Sequence, residues 1–158
     1  MKALIICAGD DKNPKKLKEY AKNADFVICA DGGYYTAENA GIIPDITVGD
    51  FDSSDIRKNK TEKIILPVEK DETDTLYALK YLIEKGADEI IIYGAFGGLM
   101  DHSYANICLL FLCLENNIKA FATDGEAVCY MTNKKIKLSG KCGSRVSVFS
   151  FSVISHGV

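Results

Sequence analysis

An α/β fold on a mostly parallel sheet is what this chain of 158 residues predicts, and three observations predict it. Short β-branched apolar runs alternate with stretches of helical period, as in a chain of strand–helix units. Acidic residues follow the ends of those runs repeatedly: Asp31, Asp50 with Asp52, Asp71 with Asp74, and Asp101. After residue 122 the pattern changes to short alternating runs with no helix between them, which reads as antiparallel strands of a second, all-β module.

The first run, 2–7, leads from Met1-Lys2 straight into Ala3–Gly9, and its brevity makes it a buried strand and not a leader. Pro14 suits the first turn of a helix carrying Leu17, Tyr20 and Ala21 on one face. A strand over 26–30 stops at Asp31-Gly32-Gly33, either a tight turn with backbone close to a ligand or a plain strand-to-helix turn. A helix over 34–40 ends at Gly41. The next strand, 46–48, stops at Gly49 and is followed by Asp50 and Asp52 at alternate positions. A charged stretch, 55–63, reads as a short helix and a solvated loop, and 64–66 as a fourth strand.

Four acids then fall within the six residues from Glu69 to Asp74. Helix-start chemistry accounts for one of Asp71, Thr73 and Asp74 but not for the set. A helix from Thr75 with Leu76, Leu79, Leu82 and Ile83 ends at Gly86. The run 89–93 is continuous and β-branched, as a central parallel strand is. It ends in a glycine-rich loop before a helix over 103–114 that is apolar nearly all round. His102 and Asn106, four apart, share a face at its entrance, and His102 reads equally as a cap. Strand 119–122 is followed by runs at 127–132, 135–138 and 145–151.

Composition sets the outer bounds. Apolar residues are 47% and charged residues 26%, a globular balance, and at this length roughly 68–70% of the extended surface is buried without a staple. A net charge of −3 disfavours nucleic acid, and no apolar run reaches a membrane span. The six cysteines, Cys7, Cys29, Cys108, Cys113, Cys129 and Cys142, form no C-x-x-C pair and read as reduced thiols in a cytoplasmic protein.

In a parallel sheet the acidic strand ends lie on one edge. Paired carboxylates at ~4 Å and an effective dielectric of ~20 repel by roughly 4 kcal/mol, so such an edge calls for a hard cation, and Mg2+ is the usual one beside phosphates. A divalent cation handling a polyphosphate accounts for acids, glycine turns and helix N-termini together. Neither G-x-x-x-x-G-K-[ST] nor G-x-G-x-x-G is present.

Four motifs in series resemble the thiamine pyrophosphokinase family: D-G-G at Asp31, P-D-x-x-x-G-D-F-D-S from Pro44 to Ser53, K-D-x-T-D from Lys70 to Asp74, and G-x-x-G-G-x-x-D-H-x-x-A-N from Gly94 to Asn106. The resemblance covers residues 1 to about 122. It implies a three-layer α/β/α domain over 1–122 that binds ATP and Mg2+, then the first strands of a thiamine-binding β-sandwich over 123–158, with the chain stopping inside that module. It implies transfer of the pyrophosphoryl group of ATP to the hydroxyethyl oxygen of thiamine, giving thiamine diphosphate and AMP, in a homodimer.

Carried onto this sequence, Asp50, Asp52, Asp74 and Asp101 resemble the catalytic, Mg2+- and phosphate-handling acids, with Asp31 and Asp71 in support. One acid not engaged by metal is expected to accept the hydroxyl proton. Gly32, Gly33, Ser53, Lys70, Thr73, Gly97, Gly98, His102 and Asn106 are expected around the nucleotide; Lys70 also reads as a solvated lysine. Leu99 stands where the family usually carries an arginine. Three other readings are kept: a hydroxymethyl-dihydropterin pyrophosphokinase, a metal-dependent phosphatase with Asp50 as nucleophile, and a nucleotide-binding remnant without catalysis.

Overall fold

A computed structural model of the chain describes residues 1–50, 61–67, 69, 71–152 and 154. Its elements run β1 (Lys2–Ile6), α1 (Pro14–Lys22), β2 (Phe26–Ala30), α2 (Gly33–Asn39), β3 (Ile46–Gly49), β4 (Glu62–Ile65), α3 (Asp74–Glu84), β5 (Glu89–Tyr93), α4 (Met100–Glu115), β6 (Lys119–Thr123) and β7 (Val128–Tyr130). The strands form one sheet in the order β4-β3-β2-β1-β5-β6-β7. All neighbouring pairs are parallel except β6 and β7, which are antiparallel.

The alternation of side chains across a strand sorts the sequence into two cores. Ala3 and Ile5 of β1, Ile28 of β2, Val48 of β3, and Ile90 and Ile92 of β5 meet α3 (Ala78, Leu79, Leu82) and α4 (Leu109, Leu110, Cys113). Leu4 and Ile6, Val27 and Cys29, and Ile91 and Tyr93 point the other way, against Leu17 of α1, Tyr34 and Ala37 of α2, and Ala40 just after it. Both faces of the sheet are therefore covered, which is why its central strands read as unbroken apolar runs. The result is three layers, α/β/α. Each fully buried Ile or Leu contributes about 1.5–3 kcal/mol.

Local chemistry sets the helix starts. The Asn13 side chain caps α1 by accepting from the Lys16 amide (3.2 Å), with Pro14 in the first turn. Thr73 Oγ1 caps α3 by accepting from the Leu76 amide (3.1 Å). The turn from β2 into α2 is set by packing. A Cβ on Gly33 would lie 2.0 Å from the Ile6 carbonyl oxygen, so the first residue of α2 rests on the backbone of β1.

Two expectations need correcting. The strand expected at 64–66 starts at Glu62, and α4 starts at Met100 and not Ser103; of the helix and loop expected over 55–63, residues 55–60 lie outside the described ones. Of the antiparallel runs expected after 122, the first is placed on the main sheet. Val128–Tyr130 joins the main sheet as β7, while 135–138 and the described residues of 145–151 form no strand. A lone run has nowhere to bury its apolar face except on an existing sheet edge, and mixed sheets commonly accept one antiparallel edge strand. Val146, Val148 and Phe149 accordingly stay exposed. No helix among the described residues is long and apolar enough to cross a membrane.

Gly33→Ala is expected to destabilise the fold by about 1–3 kcal/mol, because backbone must move to admit the methyl group. Gly32→Ala, whose Cβ would meet only the Ala8 side chain at 3.1 Å, is expected to cost less than about 1 kcal/mol. Urea denaturation of the two variants checks the difference; equal midpoints would show that the Gly33 contact is not what seats α2.

Candidate functional site

The strand order has a reversal at its centre. From β1 the chain winds outward through β2, β3 and β4, then crosses back to β5 on the other side of β1 and continues to β6. Open α/β sheets bind ligands outside the carboxyl ends of the strands at such a switch point. A cleft of about 370 Å³ lies there.

Its floor is backbone. Beyond their last paired residues β1 and β5 stay hydrogen-bonded: the Cys7 amide donates to Tyr93 O (2.8 Å), Gly9 to Gly94 O (3.0 Å) and Asp10 to Phe96 O (2.7 Å). A Cβ on Gly9 would fall 2.2 Å from Gly94 O, and one on Gly94 2.6 Å from Cys7 O. Only glycine permits that approach.

The walls carry the side chains. Asp31 ends β2 with φ 48°, a left-handed conformation that aspartate tolerates, and its amide donates to Val48 O (2.8 Å). Thr73, Asp74 and Thr75 come from the start of α3, where an acid is favoured by the helix dipole. Leu99, His102 and Asn106 come from the start of α4. Asn106 is buried and donates from Nδ2 to Ala95 O (3.0 Å), tying α4 to the glycine loop. Ser103 Oγ donates to Gly97 O (3.3 Å) from the same helix.

The ionisable lining is acidic. Asp31, Asp74, His102 and Cys7 line the cleft, and no lysine or arginine is among the described lining residues. Burial pushes the Cys7 thiol up to about 12, against a weaker opposing hydrogen bond with Thr75 Oγ1 at 3.6 Å. Cys7 is therefore a protonated, small apolar wall and not a nucleophile. A polyphosphate entering here meets backbone amides, one imidazole and two carboxylates. The oxygen-only charged set fits a hard cation that takes one or two carboxylates and completes its shell with phosphate and water. Among the described residues no three His, Cys, Asp or Glu gather to hold a cation unaided.

Of the residues singled out by sequence, the structure brings Asp31, Thr73, Asp74, Gly97, Gly98, His102 and Asn106 to this cleft. Thr73 also has the capping role that its sequence position allowed. Five others do not line it. Gly32 and Gly33 serve the β2–α2 turn. Asp50 follows β3, two strands from β1, and is half-buried. Asp71 is exposed before α3. Asp101 is exposed in the first turn of α4, where its Oδ1 accepts from the His102 amide (2.8 Å). Asp52, Ser53 and Lys70 lie outside the described residues.

Residues 17–122 match the family model described as the catalytic domain of thiamin pyrophosphokinase. The chain belongs to this family. Thiamine pyrophosphokinase of Bacillus subtilis strain 168 is 39% identical over 126 residues, 75% of this chain and 59% of that protein. The crystal structure of the thiamine pyrophosphokinase from Bacillus subtilis superposes with a TM-score of 0.67 at 31% identity, covering 78% of this chain and 60% of that one. That of the thiamin pyrophosphokinase from Geobacillus thermodenitrificans gives 0.64 at 27% identity, covering 78% and 59%. The chain thus spans about three fifths of the length of these relatives.

Within this member of the thiamin pyrophosphokinase family, sequence reading missed the cleft residues Cys7, Ala8 and Gly9. The one signal available was a glycine directly after the first strand. It also missed a support behind the cleft. Asp124, 1% exposed, accepts from Lys12 Nζ (2.7 Å) through Oδ2 and from the amides of Glu126 (2.9 Å) and Ala127 (2.8 Å) through Oδ1. Tyr93, also buried, donates its hydroxyl to Asp11 Oδ1 (2.5 Å). Burial and the Asp11 carboxylate both keep that phenol protonated by raising its pKa.

Burial works against the charged form of Asp124, but the Lys12 ammonium and the two amides outweigh it and hold the carboxyl below its usual value. The unfolded chain therefore takes up the proton first on acidification. The stabilisation is complete above the unfolded carboxylate value of about 3.9 and is lost as pH falls through the lower folded value. Asp124→Asn is expected to be about 1–3 kcal/mol less stable than the parent at neutral pH. That gap should close in acid; urea midpoints that stay equally separated down to pH 2 would contradict the ion pair as its origin.

Proposed function

We propose that this chain carries the nucleotide half of an enzyme that transfers the pyrophosphoryl group of ATP to the hydroxyl of thiamine. The observation that carries the reading is the cleft at the sheet's switch point, acidic among its described lining residues, floored by glycine backbone and bounded by the N-termini of α3 and α4. The family membership supports the same reaction class. In the reaction the thiamine hydroxyl oxygen forms a bond to the β-phosphorus, the bond from that phosphorus to the α,β-bridging oxygen breaks, and AMP leaves with the electron pair. The hydroxyl proton passes to a carboxylate of the acidic set.

Asp31 and Asp74, which line the cleft, with Asp50, Asp52 and Asp101, carried over from the family's motifs, are the residues that would hold Mg2+. Bound there, Mg2+ supplies neutralisation of the phosphate charge and polarisation of the P–O bonds. Backbone amides of the 94–98 loop, His102 and Asn106 orient the nucleotide. Acceptor binding falls to residues 123–158 as the thiamine side, in a cytoplasmic homodimer; exposed Val148 and Phe149 and six free cysteines fit that setting.

The test is AMP formation from Mg-ATP with and without thiamine. Thiamine-dependent AMP, matched by thiamine diphosphate, is expected, and Asp74→Asn should lower its rate by about 100-fold or more while the thermal midpoint is kept. Release of inorganic phosphate instead would sink the reading. AMP that depends on a hydroxymethylpterin and not on thiamine would move the acceptor to that class.

A further inference from the structure

Three loops leave adjacent strand ends beside the cleft: 7–13 after β1, 94–99 after β5 and 124–127 after β6. They are fastened to one another by backbone hydrogen bonds and through one cation. The Lys12 amide donates to Asp124 O (2.8 Å) and its ammonium to Asp124 Oδ2 (2.7 Å), while Asp10 Oδ2 lies 3.9 Å from the same ammonium. The Asp10 carboxyl group rests on the glycine loop: a Cβ on Gly97 would meet its atoms at 2.2–2.5 Å. The Asp10 amide donates to Phe96 O in that loop (2.7 Å). The chain Asp124–Lys12–Asp10–Gly97 therefore runs from a buried carboxylate to the cleft wall. Lys12 itself does not line the cleft.

We propose that Lys12 is a positioning residue for the cleft, holding the β1 loop between Asp124 and Asp10 so that the 94–98 loop keeps the shape that receives the nucleotide. Without its ammonium, Asp124 and Asp10 lose the cation they share, and the loop loosens. The backbone bond from residue 12 to Asp124 survives substitution, and the side chain is half-exposed, so removing the charge loosens the loop and spares the fold. The kinetic part of the test rests on the pyrophosphoryl-transfer reading; the exchange part does not.

The experiment compares the protein with Lys12→Met and Lys12→Arg. In Lys12→Met the Asp10 amide is expected to exchange hydrogen about tenfold faster, the size of one lost hydrogen bond to a charged group, while β2 amides keep their rates. The KM for Mg-ATP should rise about tenfold with kcat within about twofold, a loss of binding and not of transition-state stabilisation. Lys12→Arg, which keeps a donor and the charge, should restore both. Unchanged exchange and KM in Lys12→Met would overturn the proposal. So would loss of protection throughout the sheet without rescue by arginine, which marks a merely structural role. If the parent protein forms no AMP, the reaction reading fails by itself, and the Asp10 exchange rate with the Mg-ATP dissociation constant decides the brace.

Discussion

Strands β1 and β5 meet at the centre of the sheet, and their backbones remain in contact after the strands end. With Gly9 and Gly94 too close for a Cβ on either, the hydrogen-bond ladder extends from Cys7 to Asp10 on one side and Tyr93 to Phe96 on the other. In most open sheets the chains diverge there to reach helices on opposite faces. Here they diverge only after the floor of a cleft has been built from peptide groups. The elements around the cleft are positioned relative to that floor: α2, behind Asp31, through Gly33 on Ile6, and α4 through Asn106 on Ala95 and Ser103 on Gly97.

The electrostatics follow from the same geometry. A backbone floor contributes dipoles and no net charge, so the formal charge of the cleft is set by its walls, and these are acidic through Asp31 and Asp74. An anion binds such a site when a cation comes with it, because the amides and helix N-termini orient charge without neutralising two carboxylates. Leu99 sits at the cleft mouth, largely exposed, where a basic side chain would change that balance.

Much of this was legible in the sequence. The strands from 2–6 to 119–123 and the four long helices are local features, written in runs, periods and caps such as Pro14 and Thr73. The acids at strand ends pointed to one edge, and Asp31 and Asp74 reached the cleft. Strand order is not local, however, so the place along the edge where the cleft opens was hidden, and with it Cys7, Ala8 and Gly9. Asp50 sits two strands away for the same reason. Gly33 read equally as a ligand turn or a packing turn, since sequence gives a missing side chain but not the carbonyl that takes its place. Asp124 gave no sign in the sequence, because its partner Lys12 is 112 positions away.

The brace also gives β7 a role beyond extending the sheet. Its pairing with β6 aligns Thr123 with Val128 and so closes the turn that contains Asp124. Within that turn Thr123 Oγ1 donates to Ala127 O (2.6 Å) and accepts from the Gly125 amide (2.9 Å), while Asp124 takes the next two amides. Few torsions remain free between β7 and the Asp124 carboxylate. A displacement of β7 therefore moves Asp124, and through Lys12 and Asp10 it reaches the glycine loop of the cleft. The segment that follows β7 carries exposed apolar residues such as Val146 and Phe149, so anything that covers them bears on the edge strand whose turn is tied to the cleft.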